Sequence, residues 1–288
     1  MTEEWTQAAA CAKINLALDI TGRREDGYHL LRTVMQSVSL CDRVALAAAE
    51  RGKIEVKCDG PDVPGGPDNT VFRAAEAFFQ RTGIGGGARF QIRKQIPRQA
   101  GLGGGSADAA AALRLLDRRF GAGLSARELR EIGLKVGADV PFCVEGGTAL
   151  AGGIGEELEP LPALPPCAIV ICKPGRGVST REAYEAFDRS GQSGSFFADS
   201  AAEALRSGSL SAVAGSLGNA FEAACPVPEV RRIEEAMLSR GALGACMTGS
   251  GSAVFGLFAS ENSAVRCGDA LREEFPECFL CRPVSRIF

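Results

Sequence analysis

One stretch constrains this chain more than any other: residues 96–116, IPRQAGLGGGSADAAAALRLL. Gly101, Gly103, Gly104 and Gly105 crowd together, Ser106 follows, and an alanine-rich run of strong helix formers occupies residues 107–119. Glycines let a backbone turn tightly and approach a ligand closely. A helix begins where its first N–H groups are free and its dipole end is positive. Glycine loop and helix start together predict an anion site, and phosphate is the usual anion. A Walker loop requires Gly-Lys-Ser/Thr, but here Gly105 runs straight into Ser106. A dinucleotide fingerprint counted from Gly101 requires a sixth-position glycine, where Ser106 stands. A flexible linker abutting a helix is the bland alternative, and the entering Pro97 with a sharp helix start argues against it.

The length, 288 residues, suits one large or two ordinary domains. Hydrophobic residues at 45% and charged residues at 23% describe a globular chain with a real core. No apolar run approaches a membrane span and residues 1–10 do not read as a signal peptide, so a cytoplasmic protein with no membrane partner is expected. A net charge of −3 gives no support to a nucleic-acid partner. Eleven cysteines lie scattered, mostly in apolar stretches such as those around Cys143, Cys167, Cys172 and Cys246. Only Cys278 and Cys281 form a CxxC, with no second pair or histidine to complete a zinc site, so reduced thiols acting as small hydrophobes are expected.

Along the chain, Ile14, Leu16, Leu18 and Ile20 alternate with Lys13, Asn15, Ala17 and Asp19, which predicts a strand. Lys13 and Asn15 then share a face, roughly 7 Å apart along the strand. A polar turn over 22–27 leads to Tyr28, His29 and apolar residues 30–40, with further strand-like pieces at 43–48 and 53–58. The proline- and glycine-rich loop 60–69 ends at a helix cap, followed by a helix over 70–82 and a strand over 88–96. A capping box, Ser125 to Glu128, opens a helix reaching 136. The segment Gly137-Ala138-Asp139-Val140-Pro141 reads as its break and the start of a strand. Acids and prolines over 156–166 read as a connection between domains. Beyond them come a strand at 168–172, a second capping box from Ser179 to Glu182, and small helices over 200–217. The order then becomes helix 228–240, strands 245–248 and 253–258, helix 261–274 and strand 279–284. That order predicts an α+β layer of ferredoxin type.

Three separated elements then make a recognisable set: Ala12-Lys13-Ile14-Asn15, the stretch Pro97 to Ala107, and Thr248-Gly249-Ser250-Gly251-Ser252. They resemble the three motifs of the galactokinase, homoserine kinase, mevalonate kinase and phosphomevalonate kinase superfamily. The segments GRREDGYH (22–29) and GADVPF (137–142) look like the branch whose members phosphorylate 4-diphosphocytidyl-2-C-methyl-D-erythritol. The resemblance covers residues 9–258. It implies a ribosomal-S5-like N-terminal domain over 1–158, a ferredoxin-like α/β-sandwich C-terminal domain over 159–288, and a site in the cleft between them. The implied reaction carries the ATP γ-phosphate onto the 2-hydroxyl of the cytidine-diphosphate-linked methylerythritol, a step that asks for positioning and charge stabilisation.

On that resemblance Pro97, Arg98, Gln99, Ala100, Gly101, Leu102, Gly103, Gly104, Gly105, Ser106 and Ala107 bind ATP. Asp139 is the base, and Lys13 the charge partner facing developing negative charge. Asn15, Tyr28, His29, Thr180, Tyr184, Gly249 and Ser250 are the expected substrate contacts. His29 is the chain's one histidine, and a lone histidine is commonly structural. Its place beside Tyr28 in a cytosine-recognition motif favours a ligand role, since a neutral imidazole both donates and accepts. For Asp139 the plain alternative is a turn residue before Pro141, and for Lys13 a solvated strand-face lysine. Magnesium is expected with ATP; Ser106 offers a hydroxyl, but no acidic metal ligand declares itself. Cys11 stands where many members carry proline, and Arg98-Gln99 are more polar than usual there. The competing readings are another small-alcohol kinase of the superfamily and a non-catalytic binding protein on the same fold.

Overall fold

The computed structural model describes residues 4–59, 65–191 and 196–287. It is α+β with two sheets, as expected. The expected loop 60–69 falls partly on 60–64, outside the described residues.

The first sheet is built on two long strands, β1 (Thr6–Arg23) and β2 (His29–Ala48), paired antiparallel. The expected pieces 30–40 and 43–48 are therefore one strand, which runs through Ser39 and Cys41 without a break. Beyond lie β3 (Ile54–Cys58), the helix α1 (Thr70–Thr82) and β4 (Ala88–Arg93). Asn69 caps α1 by accepting the Val71 N–H. The strand expected to reach 96 stops at Arg93, because the Gln95 and Ile96 N–H groups turn to the buried Asp42 carboxylate instead of the ladder. Then come α2 (Gly104–Phe120) and α3 (Ala126–Leu134), the latter opened by the Ser125–Glu128 capping box.

The strand expected at Pro141 is a short helix, α4 (Val140–Glu145). Proline in the first helical turn removes an N–H that a helix start does not need, so this proline opens an element. The strands β5 (Thr148–Gly152) and β6 (Glu157–Pro160) follow as a hairpin on β2. The acidic run read as an interdomain connection thus begins as sheet. Its charges sit on an edge strand, where exposure is tolerated.

The second sheet comprises β7 (Ala168–Cys172), then β9 (Gly244–Met247), β10 (Val254–Phe258) and β11 (Cys278–Cys281), ordered β11-β7-β10-β9 and antiparallel throughout. Between β7 and β9 lie α5 (Thr180–Ser190), α6 (Phe197–Ser207), α7 (Leu210–Gly215), β8 (Gly218–Asn219) and α8 (Glu229–Ser239); α9 (Glu261–Arg272) precedes β11. The small helices and the ferredoxin-type order are as read from the sequence. The two-residue β8 is not part of this sheet: it adds to β1 in parallel.

Burial explains how the halves meet. Ile169, Ile171, Phe255 and Leu257 join the core that also contains α2 and β1, while Val170, Cys172, Val254 and Phe258 pack under α8 and α9. Both faces of the second sheet are covered, hence the unbroken apolar run 168–172. β1 is likewise buried on both faces from Ala12 to Ile20, so its polar residues face into the molecule. Asp19 shows the use of this: its carboxylate accepts the Phe197 and Ala198 N–H groups at 3.0 and 2.8 Å, capping α6 across the fold. Among the described residues no helix is long and apolar enough to cross a membrane.

Candidate active site

A cleft of about 590 Å³ opens between the glycine loop, β1, the start of α4, α5 and the turn after β9. Its floor is the α2 N-terminus. Gly103, at the N-cap with φ +67°, supplies no side-chain cap, so the first N–H groups of α2 are left for a ligand. Gly101 has φ +73°, and a Cβ there would lie 2.0 Å from the Thr248 carbonyl oxygen. The glycine loop and the second glycine turn are thus packed backbone to backbone, which the Ala253 N–H seals by donating to Ala100 O at 3.2 Å.

Gly101→Ala is therefore expected to push these two loops apart, lowering ATP affinity and cutting kcat/KM on the order of a hundredfold. Calorimetric titration with a non-hydrolysable ATP analogue checks it, with circular dichroism reporting the fold; unchanged binding would contradict the cradle.

Lys13 lies beneath this loop. Its backbone N–H donates to Leu102 O at 3.0 Å, tying β1 to the glycine loop. Its ammonium, almost wholly buried, donates to Asn15 Oδ1 at 2.6 Å and stands 3.8 Å from Asp139 Oδ2. Asn15 is fixed in turn, donating to Thr33 Oγ1 at 2.8 Å through Nδ2 and to Thr248 Oγ1 at 2.9 Å through its backbone. Asp139 is the N-cap of α4 yet makes no side-chain cap bond. Its carboxylate is turned to the cleft, 38% exposed, beside the one cation that faces it from β1. Burial and then the Asp139 charge push the Tyr184 phenol up to about 12, so a neutral ring closes the α5 side of the cleft.

The remaining expected residues fall into four groups. Pro97 through Ser106, Asn15, Thr180, Tyr184, Gly249 and Ser250 line the cleft, while Ala107 is buried beneath it. His29 stands behind the wall: its ring stacks on Tyr184 with centroids 4.4 Å apart, and Nε2 lies 2.8 Å from Asp188 Oδ1. Tyr28 projects to solvent, 62% exposed, and does not line the cleft.

Several residues were not legible as site residues. Asn219 on β8 donates to Met247 O and Gly249 O at 2.8 and 2.9 Å, holding the second glycine turn from behind. Lys94 reaches the cleft wall and is clamped by Asp42 and by Asp108 Oδ2, the latter at 2.7 Å. Burial, reinforced by Asp42 and opposed by Lys94, lifts the Asp108 carboxyl to about 7. Gln99, which was expected at the site, takes a left-handed φ of +50°, uncommon for a side-chain-bearing residue, and its carbonyl accepts the Val178 N–H. Of these, only the aspartate one turn into an alanine helix carried a signal: a charge at a position whose neighbours are all apolar.

The profile of the GHMP kinases N terminal domain matches residues 69–147, and that of the GHMP kinases C terminal matches residues 201–277. The 4-diphosphocytidyl-2-C-methyl-D-erythritol kinase of Desulfitobacterium hafniense is 46% identical over 276 residues, covering 95% of this chain and 94% of its own. That of Moorella thermoacetica is 45% identical, covering 95% and 97%. The chain belongs to the 4-diphosphocytidyl-2-C-methyl-D-erythritol kinase family. A crystal structure of a 4-(cytidine 5'-diphospho)-2C-methyl-D-erythritol kinase superposes with a TM-score of 0.81 at 35% identity, covering 96% of this chain and 99% of that one. The homoserine kinase of Cytophaga hutchinsonii, at 20% identity and a TM-score of 0.78, shares the fold. This member of the family is an ATP-dependent kinase.

Proposed function

We propose that this kinase moves the γ-phosphate of ATP onto the 2-hydroxyl of 4-diphosphocytidyl-2-C-methyl-D-erythritol, a step of the methylerythritol phosphate route to isopentenyl diphosphate. The observation that carries the reading is the Lys13–Asp139 pair, 3.8 Å apart at the mouth of a glycine cradle. Phosphoryl transfer needs positioning and charge neutralisation above all. The α2 N–H groups hold the β- and γ-phosphates, Asp139 receives the hydroxyl proton, and Lys13 faces the negative charge that spreads over the transferring group. The family names of the relatives support the substrate over mevalonate or homoserine.

Magnesium, where bound, neutralises phosphate charge. Magnesium takes one or two protein ligands and keeps its waters, so the half-buried Ser106 hydroxyl on the cleft wall fits as its holder without a carboxylate cluster. The same reading divides the chain into an ATP-binding domain, 1–158, and a substrate-closing domain, 159–288. The two sheets support that division, with β6 straddling the boundary.

Coupled ADP release tests the substrate: turnover is expected with the cytidine-diphosphate-linked alcohol and not with bare methylerythritol, mevalonate or homoserine. Turnover of any of the last three at a comparable rate would overturn it.

His29, although it does not line the present cleft, is assigned to the cytosine edge on the strength of its motif, with Tyr184, on which it stacks, as the neighbouring ring on the cleft wall. The base lies remote from the reacting phosphoryl group, so its binding energy is uniform between ground and transition states. His29→Ala is therefore expected to raise KM for the cytidine-linked substrate by about ten- to a hundredfold while kcat and KM for ATP hold. Steady-state kinetics against a uridine-linked analogue decides the matter. Cytidine preference surviving in the variant would make this histidine a structural partner of Asp188.

A further inference from the structure

The strand register sets four of the cysteines in facing pairs. Cys172 opposes Cys278 across β7 and β11, both buried. Cys11 opposes Cys41 across β1 and β2, both half-buried. No spacing in the sequence announces the second pair, since thirty residues and a turn separate its members. The two thiols of this pair are within hydrogen-bonding reach, and Cys41 Sγ also donates to Ser39 O at 3.1 Å. Cys11 opens onto a surface cavity of about 330 Å³ whose wall includes Arg114 and Arg118, so a small polar reagent can reach it.

Directly opposed residues of an antiparallel pair have Cα atoms roughly 4.5–5.5 Å apart. Disulfides span Cα separations of roughly 4.4–6.8 Å. The pair can close, and drawing the two sulfurs from contact to bonding distance pulls the β1 and β2 backbones together at this register. Its position gives closure a consequence. Cys11 pairs with Cys41 while Lys13 pairs with Ser37, so two steps along β1 face four along β2 and β2 bulges between them. Lys13 lies two residues from Cys11 on β1, at the far edge of this bulge, so a tie at Cys11 bears on the backbone that presents Lys13.

We propose that Cys11 and Cys41 form a redox modification site, joined as a disulfide by a two-electron oxidant of the peroxide class, and that the tie slows phosphoryl transfer by displacing Lys13. The Cys41 thiol gives up its proton and its sulfur, as thiolate, attacks one peroxide oxygen; the O–O bond breaks, leaving a sulfenic acid at Cys41, and the departing hydroxide or alkoxide takes the released proton to leave as water or alcohol. The Cys11 sulfur then attacks the Cys41 sulfur, the S–O bond breaks, and the departing hydroxide takes the Cys11 proton as water. Two electrons pass from the sulfurs to the peroxide, and the S–S bond forms. Burial and then the Cys41 sulfur push the Cys11 thiol up to about 11, which makes Cys11 a poor first nucleophile.

The second half of the proposal rests on the role given to Lys13; the first half does not, and the experiment separates them. Reduced enzyme is treated with hydrogen peroxide, alkylated, digested without reductant and mapped by mass spectrometry. The expected result is a linked peptide joining Cys11 to Cys41, with kcat down by about tenfold or more and both changes reversed by dithiothreitol. Reduced Cys41→Ser should keep wild-type kcat and resist peroxide, and Cys11→Ser provides the same test should that variant fail to fold. Both cysteines remaining open to alkylation would overturn the site. A linked enzyme with unchanged kcat would overturn its action on Lys13. Equal inactivation of wild type and Cys41→Ser would assign the effect to another cysteine and overturn the proposal.

Discussion

Asp139→Asn is expected to lower kcat by about 10²–10⁴-fold while ATP binding stays near wild type. The amide keeps the size and the N-cap position but cannot take a proton. Because the Asp139 side chain makes no cap bond to α4, its replacement removes no hydrogen bond that holds the helix. Stability should therefore change little, and kinetics should change greatly. Single-turnover measurement with the cytidine-linked alcohol, beside titration with an ATP analogue, separates the two effects. A variant retaining more than about a tenth of wild-type turnover would remove the base from the account.

Lys13→Met is the second large effect. Methionine fills a similar volume, yet it leaves Asn15 Oδ1 without its 2.6 Å donor and Asp139 without its cation. The charge that develops on the transferring group then has no ammonium facing it, and a loss of about a hundredfold or more in kcat is expected. KM for ATP should move less, since the α2 N–H groups hold the phosphates independently of this side chain. An equal loss of ATP affinity and of kcat would make Lys13 a support for the glycine loop, through Leu102, and not a partner in the chemistry.

The sequence made the glycine loop, the Ser125–Glu128 capping box and the ferredoxin-type order legible, because each is a local signal; at Ser179 the cap forms but Glu182 turns to Arg176 instead of closing a box. Ser125 and Glu128 sit three apart and cap one helix, and nothing distant is needed to read them. What stayed hidden depends on tertiary pairing. Pro141 reads as a breaker along the chain, and only the packing of α4 against α2 and α3 makes it a helix start. The polar face of β1 gives no sign along the chain of what Asp19 there meets, a helix nearly 180 residues later that it caps. Asn219 and Lys94 carry no motif at all; their roles exist once β8 reaches β1 and Asp42 turns the chain into the glycine loop. The residues that the glycine loop brings to the cleft were readable for the same reason. His29 and Tyr28, adjacent in sequence, part company: one ring stacks on Tyr184 and the other faces solvent.

The position of the new phosphate in the product tests the central claim most directly. Wild-type enzyme, ATP and the cytidine-diphosphate-linked methylerythritol are incubated together, and the product is read by phosphorus NMR with carbon coupling. A phosphomonoester on the 2-hydroxyl is expected, formed with one ADP per turnover and lost in Asp139→Asn. A phosphate on any other hydroxyl, or ADP released with the alcohol unchanged, would contradict it.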